Sequence, residues 1–199
     1  MKKLKLFLVL IMGLLVSTLY ADTSDALNTT EGNASSKSSV VFMRSSFVGS
    51  MIKTSIYEVT NGETIFIGIL KNKNKVIYET TEGKHTFMVV SEAADFMEAD
   101  ILAGKTYYSI VTPRAGAWKA RFSMHPIRNN GTTKFNTDSK DFKKWKKKTK
   151  LASMTEKSKS WYEEHKDSVE SKRAKYWPKW TQKTAEDLAA RTLNPDDGT

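Results

Sequence analysis

Residues 56–70, IYEVTNGETIFIGIL, contain two runs of apolar residues separated by Asn61-Gly62. β-Branched and aromatic side chains dominate both runs, and such residues fit a pleated, half-buried strand. Asn-Gly is the pair that a two-residue hairpin turn prefers, because both turn positions take a positive φ. The stretch therefore predicts a β-hairpin.

Similar apolar runs recur on both sides of this hairpin, each bounded by turn residues. They cover residues 40–43, 76–78, 85–90, 107–111 and 118–124. In the last run the apolar residues alternate with Lys119, Arg121 and Ser123, so one strand face is apolar and the other polar. The stretch 92–102 fits a short strand or a helical turn. Seven or eight short strands predict a mainly β fold, an antiparallel β-sandwich over residues 39–128 that folds without the rest of the chain.

The N-terminal segment has the pattern of an export signal. Three lysines among the first five residues accompany an apolar run, 4–16, and the small residue Ala21 ends the segment. The run is shorter than the roughly 20 apolar residues that a membrane span needs. We predict that residues 1–21 are a cleaved signal peptide of an exported bacterial protein, periplasmic or extracellular, and that 22–38 are a flexible leader. An uncleaved anchor, which would leave the protein membrane-associated, is the alternative.

The C-terminal tail carries most of the net charge of +10. A polar linker at 129–138 leads into a lysine-rich tail at 139–199 with a helical pattern. Between Lys140 and Thr192 there are 16 basic and 8 acidic residues. A basic stretch of this kind indicates an anionic partner more strongly than an evenly basic surface does.

Local signals divide the tail into three helices. Ser139 has the position of an N-cap for the first, and Ser160 has capping-box spacing for the second. Pro178 predicts a break of that second helix near Trp177. Thr184 predicts the start of a short last helix.

The sharpest feature of the tail is a lysine run around one tryptophan. It comprises Lys143, Lys144, Trp145, Lys146, Lys147, Lys148 and Lys150. Lysines with an interleaved aromatic suit anionic lipid or acidic glycan, and export disfavours nucleic acid as the partner. The alternative is a solvated lysine face on a helix that packs Phe142 and Trp145 against the domain.

A second aromatic set follows on the tail. It comprises Trp161, Tyr162, Tyr176, Trp177 and Trp180. Exposure of so many rings to water is costly, at about 25 cal/mol for each Å² of apolar surface. We expect the rings to pack on the sandwich or to form a partner surface.

Signals for catalysis and for bound metal are weak. Glu92, Asp95, Glu98 and Asp100 cluster in sequence, and paired carboxylates can serve acid–base chemistry, so an enzyme acting on envelope glycans is the alternative function. The three histidines are widely spaced and the chain has no cysteine, which disfavours a metal site and excludes disulfides. No cofactor is expected.

Four short segments resemble a known family. They are Ser46-Phe47-Val48-Gly49-Ser50, Gly83-Lys84-His85-Thr86-Phe87, Gly104-Lys105-Thr106-Tyr107-Tyr108 and Trp118-Lys119-Ala120-Arg121-Phe122. The stretch is similar to a domain-of-unknown-function family of exported, often lipoprotein-like bacterial proteins, and its glycine–lysine–histidine–threonine turn resembles PEGA β-sandwich repeats. The resemblance implies an envelope β-sandwich with no known activity. The chain lacks the lipid-bearing cysteine of lipoproteins.

The sequence thus favours a non-enzymatic binding or scaffolding module of the bacterial envelope. In this hypothesis the sandwich is a platform, and the basic tail contacts an anionic lipid, an acidic glycan or an envelope protein. The oligomeric state is left open.

Overall fold

Eight strands of five to eight residues and two strands of two residues build two sheets. The structure is a computed structural model that describes residues 36–114 and 120–199. The predicted signal, nearly all of the predicted leader, and Trp118 with its neighbours lie outside the described residues. The strands are β1 (Ser38–Arg44), β2 (Thr54–Glu58), β3 (Ile65–Leu70), β4 (Asn74–Thr80), β5 (Gly83–Val90), β6 (Ala94–Ile101), β7 (Thr106–Pro113), β8 (Phe122–Pro126), β9 (Lys150–Leu151) and β10 (Thr192–Leu193).

The two sheets have five strands each, in the orders β8-β7-β1-β4-β9 and β10-β6-β5-β2-β3. The prediction of a mainly β fold with a helical tail is confirmed, and the eight longer strands all lie between residues 38 and 126. The sheets are mixed rather than purely antiparallel, because β1 is parallel to β7, β9 to β4 and β10 to β6. Apolar alternation marks where a strand lies and leaves the direction of its neighbour unspecified.

The hairpin predicted from residues 56–70 is present. β2 pairs antiparallel with β3, and Asn61 and Gly62 take φ values of 54° and 87° in the connection. Side chains from both sheets meet in the main core, where Phe42 of β1 lies edge-on to Phe87 of β5 at 5.1 Å. The stretch 92–102, which fitted a strand or a helical turn, holds β6.

Three helices form the tail, namely α1 (Lys140–Lys148), α2 (Glu156–Thr181) and α3 (Ala185–Ala189). Ser139 caps α1 and Thr184 caps α3, as predicted. The capping box of α2 is formed by Thr155 with Ser158, so the prediction for Ser160 is wrong.

The predicted break at Pro178 is also wrong. α2 continues through this residue to Thr181. Proline removes one backbone hydrogen bond of the helix. The rings of Trp177 and Trp180 on either side of it pack on Phe96, at 5.1 and 5.9 Å between ring centroids, and these tertiary contacts hold the last turn in place.

The tail contributes to both sheets. β9 adds to the edge of β4, and β10 adds to the edge of β6, where Leu193 is fully buried in the main core. The guanidinium of Arg128 donates to the carboxylate of Asp197 at 2.7 Å, and both side chains are buried. The tail is therefore built into the sandwich rather than appended to it.

Candidate anionic-surface site

One end of the sandwich collects lysines from separate parts of the chain. At this end β1 finishes and β4 begins, with Arg44 directly opposite Asn74. The amide of Lys150 donates to the carbonyl of Lys73 at 2.9 Å, which brings the start of β9 to the β3–β4 turn. The turn and β4 add Lys71 and Lys75.

The C-terminal turn of α1 reaches the same end. The ammonium of Lys75 lies 3.4 Å from the carbonyl of Lys146, which it can use as a hydrogen-bond acceptor. Lys146, Lys147 and Lys148 are exposed in this last turn, where lysine also complements the negative end of the helix dipole. Lys143 and Lys144 are exposed one turn earlier.

A cavity of about 470 Å³ adds lysines from α2. It lies between α2 and the ends of β2, β3 and β5, with apolar side chains such as Ile69, Val90 and Val169 in its lining. Lys53, Lys71, Lys157 and Lys172 line it too, together with one acidic residue, Glu92. The surface formed by Lys53, Lys71, Lys73, Lys75, Lys147, Lys148, Lys150, Lys157 and Lys172 is called the basic end below.

The basic end is electrostatically unbalanced. None of its lysines lies within 4.0 Å of a carboxylate oxygen belonging to residues 36–114 or 120–199. Like charges gathered on one surface repel one another, and salt screens the repulsion over a distance of about 8 Å at physiological ionic strength. An anionic surface would relieve the repulsion and bind more weakly as salt rises.

An apolar loop, residues 45–53, projects from the basic end. The side chains of Phe47, Met51 and Val48 are 94%, 93% and 67% exposed. The amide of Ser46 donates to the side-chain oxygen of Asn72 at 3.0 Å, which fixes the loop beside the β3–β4 turn. The exposed apolar tips thus stand among the lysines.

Arg44 holds this loop from beneath. Its buried guanidinium donates to the carbonyls of Ile52 at 2.6 Å, Gly49 at 2.5 Å and Leu70 at 3.3 Å. It also lies over the ring of Phe122 at 4.2 Å. Burial lowers the pKa of Arg44 to about 10, so the side chain stays charged at neutral pH. Arg44 thus ties two loop carbonyls, those of Gly49 and Ile52, to the end of β3 at Leu70, which gives the loop a defined shape.

Trp145, the tryptophan of the lysine run, packs on the protein. It is half-buried against Phe135, with 6.2 Å between ring centroids, beside the buried Phe142. Lys146 lies over the ring of Tyr108 at 5.2 Å. The structure therefore brings Lys147, Lys148 and Lys150 to the basic end and leaves Trp145 and the ammonium of Lys146 out of it.

The second aromatic set covers the outer face of one sheet. Tyr162 is buried and stacks on Phe66 at 4.9 Å, and Trp180 is buried beside Phe96. Trp161, Tyr176 and Trp177 pack around the same cluster, with Trp177 37% exposed. These rings mainly serve packing.

The carboxylates weighed for catalysis do not form a pair. Asp95 is buried in an ion pair with Arg191, and Glu92 accepts a hydrogen bond from the amide of Ala120 at 2.9 Å. Glu98 and Asp100 lie further along β6, on the opposite strand face from Asp95. Among residues 36–114 and 120–199, no three His, Asp or Glu side chains are placed to hold a metal ion.

A small pocket at the opposite end of the sandwich contains His85. Its Nδ1 donates to Glu58 at 2.6 Å, and its Nε2 lies 3.1 Å from the carbonyl of Thr81. Glu58 also accepts from Tyr78 and Thr60. Both ring nitrogens face acceptors, which favours the imidazolium, and the hydrogen bond to Glu58 raises the pKa of His85 despite burial. With neither nitrogen free to accept a proton, the arrangement is a structural ion pair.

Sequence reasoning missed the apolar loop and the lysines outside the tail. Phe47, Val48 and Met51 are apolar residues between serines and glycine, without the alternation that marks a strand. That pattern was the available signal for an exposed loop. A second signal was the spacing of Lys71, Lys73 and Lys75, which alternate with other residues across a turn and so indicate an exposed basic turn.

No helix within the described ranges is long and apolar enough to cross a membrane. The chain matches no family model, no curated protein and no solved structure. The resemblance to the PEGA-like envelope family therefore remains a hypothesis.

Proposed function

We propose that the protein is a non-enzymatic binding module of the bacterial cell envelope, and that its basic end holds an anionic envelope component. The observation that supports this most is the gathering of unpaired lysines from the β3–β4 turn, α1, β9 and α2 at one end of a rigid sandwich. Each lysine near an anionic lipid surface contributes roughly 1 kcal/mol of binding. Several acting together suffice for stable attachment without a deep ligand site.

Sedimentation with phosphatidylcholine vesicles, with and without phosphatidylglycerol, and with peptidoglycan tests this proposal. The chain from Asp22 onward is the right material, because it omits the predicted signal and retains every described residue. Binding is expected to require anionic material and to weaken with salt. Equal sedimentation with neutral and anionic vesicles, or none with any material, contradicts the proposal.

A charge-matched pair of variants locates the surface. Lys71, Lys73 and Lys150 are replaced by glutamine in one variant, and Lys84, Lys175 and Lys179, away from the basic end, in the other. Both lose three charges and all six residues are exposed. Only the first variant is expected to bind more weakly and with a flatter salt dependence. Equal losses in both would indicate a response to net charge alone.

A further inference from the structure

Binding of an anionic surface by lysines does not explain why the apolar loop exposes large apolar side chains. Phe47 and Met51 are almost fully exposed, although the chain places the rest of its phenylalanines against other side chains in the described ranges. Exposed apolar side chains that lie next to one another mark a site of contact with a partner or membrane. Phe47 and Met51 therefore indicate a contact site on the apolar loop.

The loop is held in a fixed shape rather than left to collapse. Arg44 holds the loop by the carbonyls of Gly49 and Ile52, and the amide of Ser46 donates to Asn72. These anchors hold the backbone, and the side chains of Phe47 and Met51 are left outward. A preformed loop of this kind loses little conformational entropy when it binds.

The charges around the apolar loop indicate which partner covers its exposed side chains. Lys53 belongs to the loop, and Lys71 and Lys73 flank the asparagine that Ser46 contacts. The loop thus carries apolar tips beside three lysines that lack a carboxylate partner within the described residues. A bilayer with anionic headgroups has the matching order, with negative charge at the surface and hydrocarbon just beneath it. Peptidoglycan has no such apolar layer.

We infer that the apolar loop inserts into the anionic membrane that the basic end contacts, with Phe47, Val48 and Met51 below the headgroups and the lysines at headgroup level. This inference rests on the proposed function, and it names the anionic component as a lipid bilayer. Side chains of surface-bound proteins typically enter such a bilayer by about 5–10 Å.

Single-cysteine labelling measures insertion directly, because the natural chain contains no cysteine. Phe47→Cys and Met51→Cys place an environment-sensitive fluorophore on the loop, and Glu82→Cys places it in the exposed β4–β5 turn at the other end. With phosphatidylglycerol-containing vesicles, emission is expected to shift to the blue at positions 47 and 51 and to stay unchanged at 82.

The outcomes separate the two proposals. Vesicles that sediment the protein without any shift at 47 or 51 overturn insertion and leave surface binding by the lysines intact. Shifts of equal size at all three positions also overturn insertion by the loop. Failure to bind anionic vesicles overturns insertion, and the proposed function falls with it only if peptidoglycan is not bound either.

A second variant does not depend on a label. The double variant Phe47→Ser, Met51→Ser is expected to lower partitioning onto anionic vesicles by about a hundredfold or more, because two large apolar side chains no longer leave water. Its slope of binding against salt is expected to stay unchanged, since every lysine remains. Leu102→Ser, an exposed leucine at the other end, is the matched control. Unchanged partitioning of the double variant, with an unchanged melting temperature, contradicts insertion.

Discussion

The Nδ1 of His85 and a carboxylate oxygen of Glu58 lie 2.6 Å apart, and both side chains are more than nine-tenths buried. The pair joins β5 to β2, which are neighbours in the sheet, and Tyr78 of β4 in the other sheet donates to the same carboxylate. One ion pair thus connects the two layers of the sandwich at the end away from the lysines.

The stability that this pair gives depends on pH. The pKa of His85 is raised above its ordinary 6.5, chiefly by the hydrogen bond to Glu58, so its contribution is complete below that value and is lost as the pH rises through the folded-state pKa. The pKa of Glu58 is lowered from 4.5, because its bonds to His85, Tyr78 and Thr60 outweigh the effect of burial. Its contribution is lost as the pH falls through that lowered value.

We therefore expect His85→Gln to reduce the free energy of unfolding by about 1–3 kcal/mol at about pH 6, since an amide keeps one hydrogen bond and loses the charge. The difference from the natural chain is expected to shrink toward about pH 9. Urea denaturation at both pH values measures it. A difference that is the same at both, or one that grows with pH, contradicts the ion-pair assignment.

Arg44→Lys tests the support beneath the apolar loop. Lysine keeps the charge but cannot donate to three carbonyls in the planar geometry of a guanidinium. We expect the free energy of unfolding to fall by about 1–3 kcal/mol and the loop to become sensitive to protease. Limited proteolysis and urea denaturation are the measurements. Arg121→Lys, an exposed arginine at the same end, is expected to change neither.

The lysine run and its tryptophan are expected to have separate effects. Replacing Lys143, Lys144, Lys147 and Lys148 by glutamine is expected to weaken binding to anionic vesicles and to flatten its salt dependence. Trp145→Ala is expected to lower stability by about 1–3 kcal/mol, because the ring is half-buried on Phe135. Sedimentation and thermal melts distinguish the two. A Trp145→Ala variant with a normal melting temperature and weaker vesicle binding would show that Trp145 belongs to the binding surface.

Asp197→Asn tests the docking of the C-terminus. The change leaves the buried guanidinium of Arg128 without its carboxylate, and breaking a buried pair from one side costs about 3–5 kcal/mol. Asp196→Asn, the exposed neighbour, is expected to cost less than about 0.5 kcal/mol. Denaturant unfolding of both variants makes the comparison. Equal stability of the two would show that the C-terminus docks without help from the ion pair.

A chain that ends at Arg128 tests the sequence-based expectation that residues 39–128 fold alone. Without the tail, Phe96 and Tyr57 lose the cover of α2, and both are almost fully buried in the complete structure. We now expect this shorter chain to lack a cooperative melt. Circular dichroism during heating measures the unfolding transition of this shorter chain. A sharp transition would show that residues 39–128 fold without the tail.

Local sequence patterns predicted the strands and helices of this fold better than they predicted which strands pair with each other. The apolar runs and the Asn61-Gly62 turn predicted the hairpin correctly, and the capping residues Ser139 and Thr184 predicted where α1 and α3 begin. The strands β9 and β10 have two residues each, too few for any period to show. The parallel pairing of β1 with β7 depends on contacts between residues far apart in sequence, which no local pattern encodes.

The candidate site was predicted only in part. The lysine run is visible in sequence, but its meeting with Lys71, Lys73 and Lys75 depends on the pairing of β9 with β4. The role of Trp145 also changed, because a half-buried ring and a projecting ring look the same in sequence. The pairing of His85 with Glu58 spans 27 residues and arises from the sheet register.

The placement of β9 and β10 at the sheet edges governs when the protein can fold. β10 comes from residues 192–193, so a chain that emerges N-terminus first from a ribosome leaves the edge of β6 open until these two residues arrive. Pairing across such long sequence separations is slow. The edges of β4 and β6 therefore stay open while the eight longer strands are made, and β9 and β10 then cap edges that would otherwise recruit other chains.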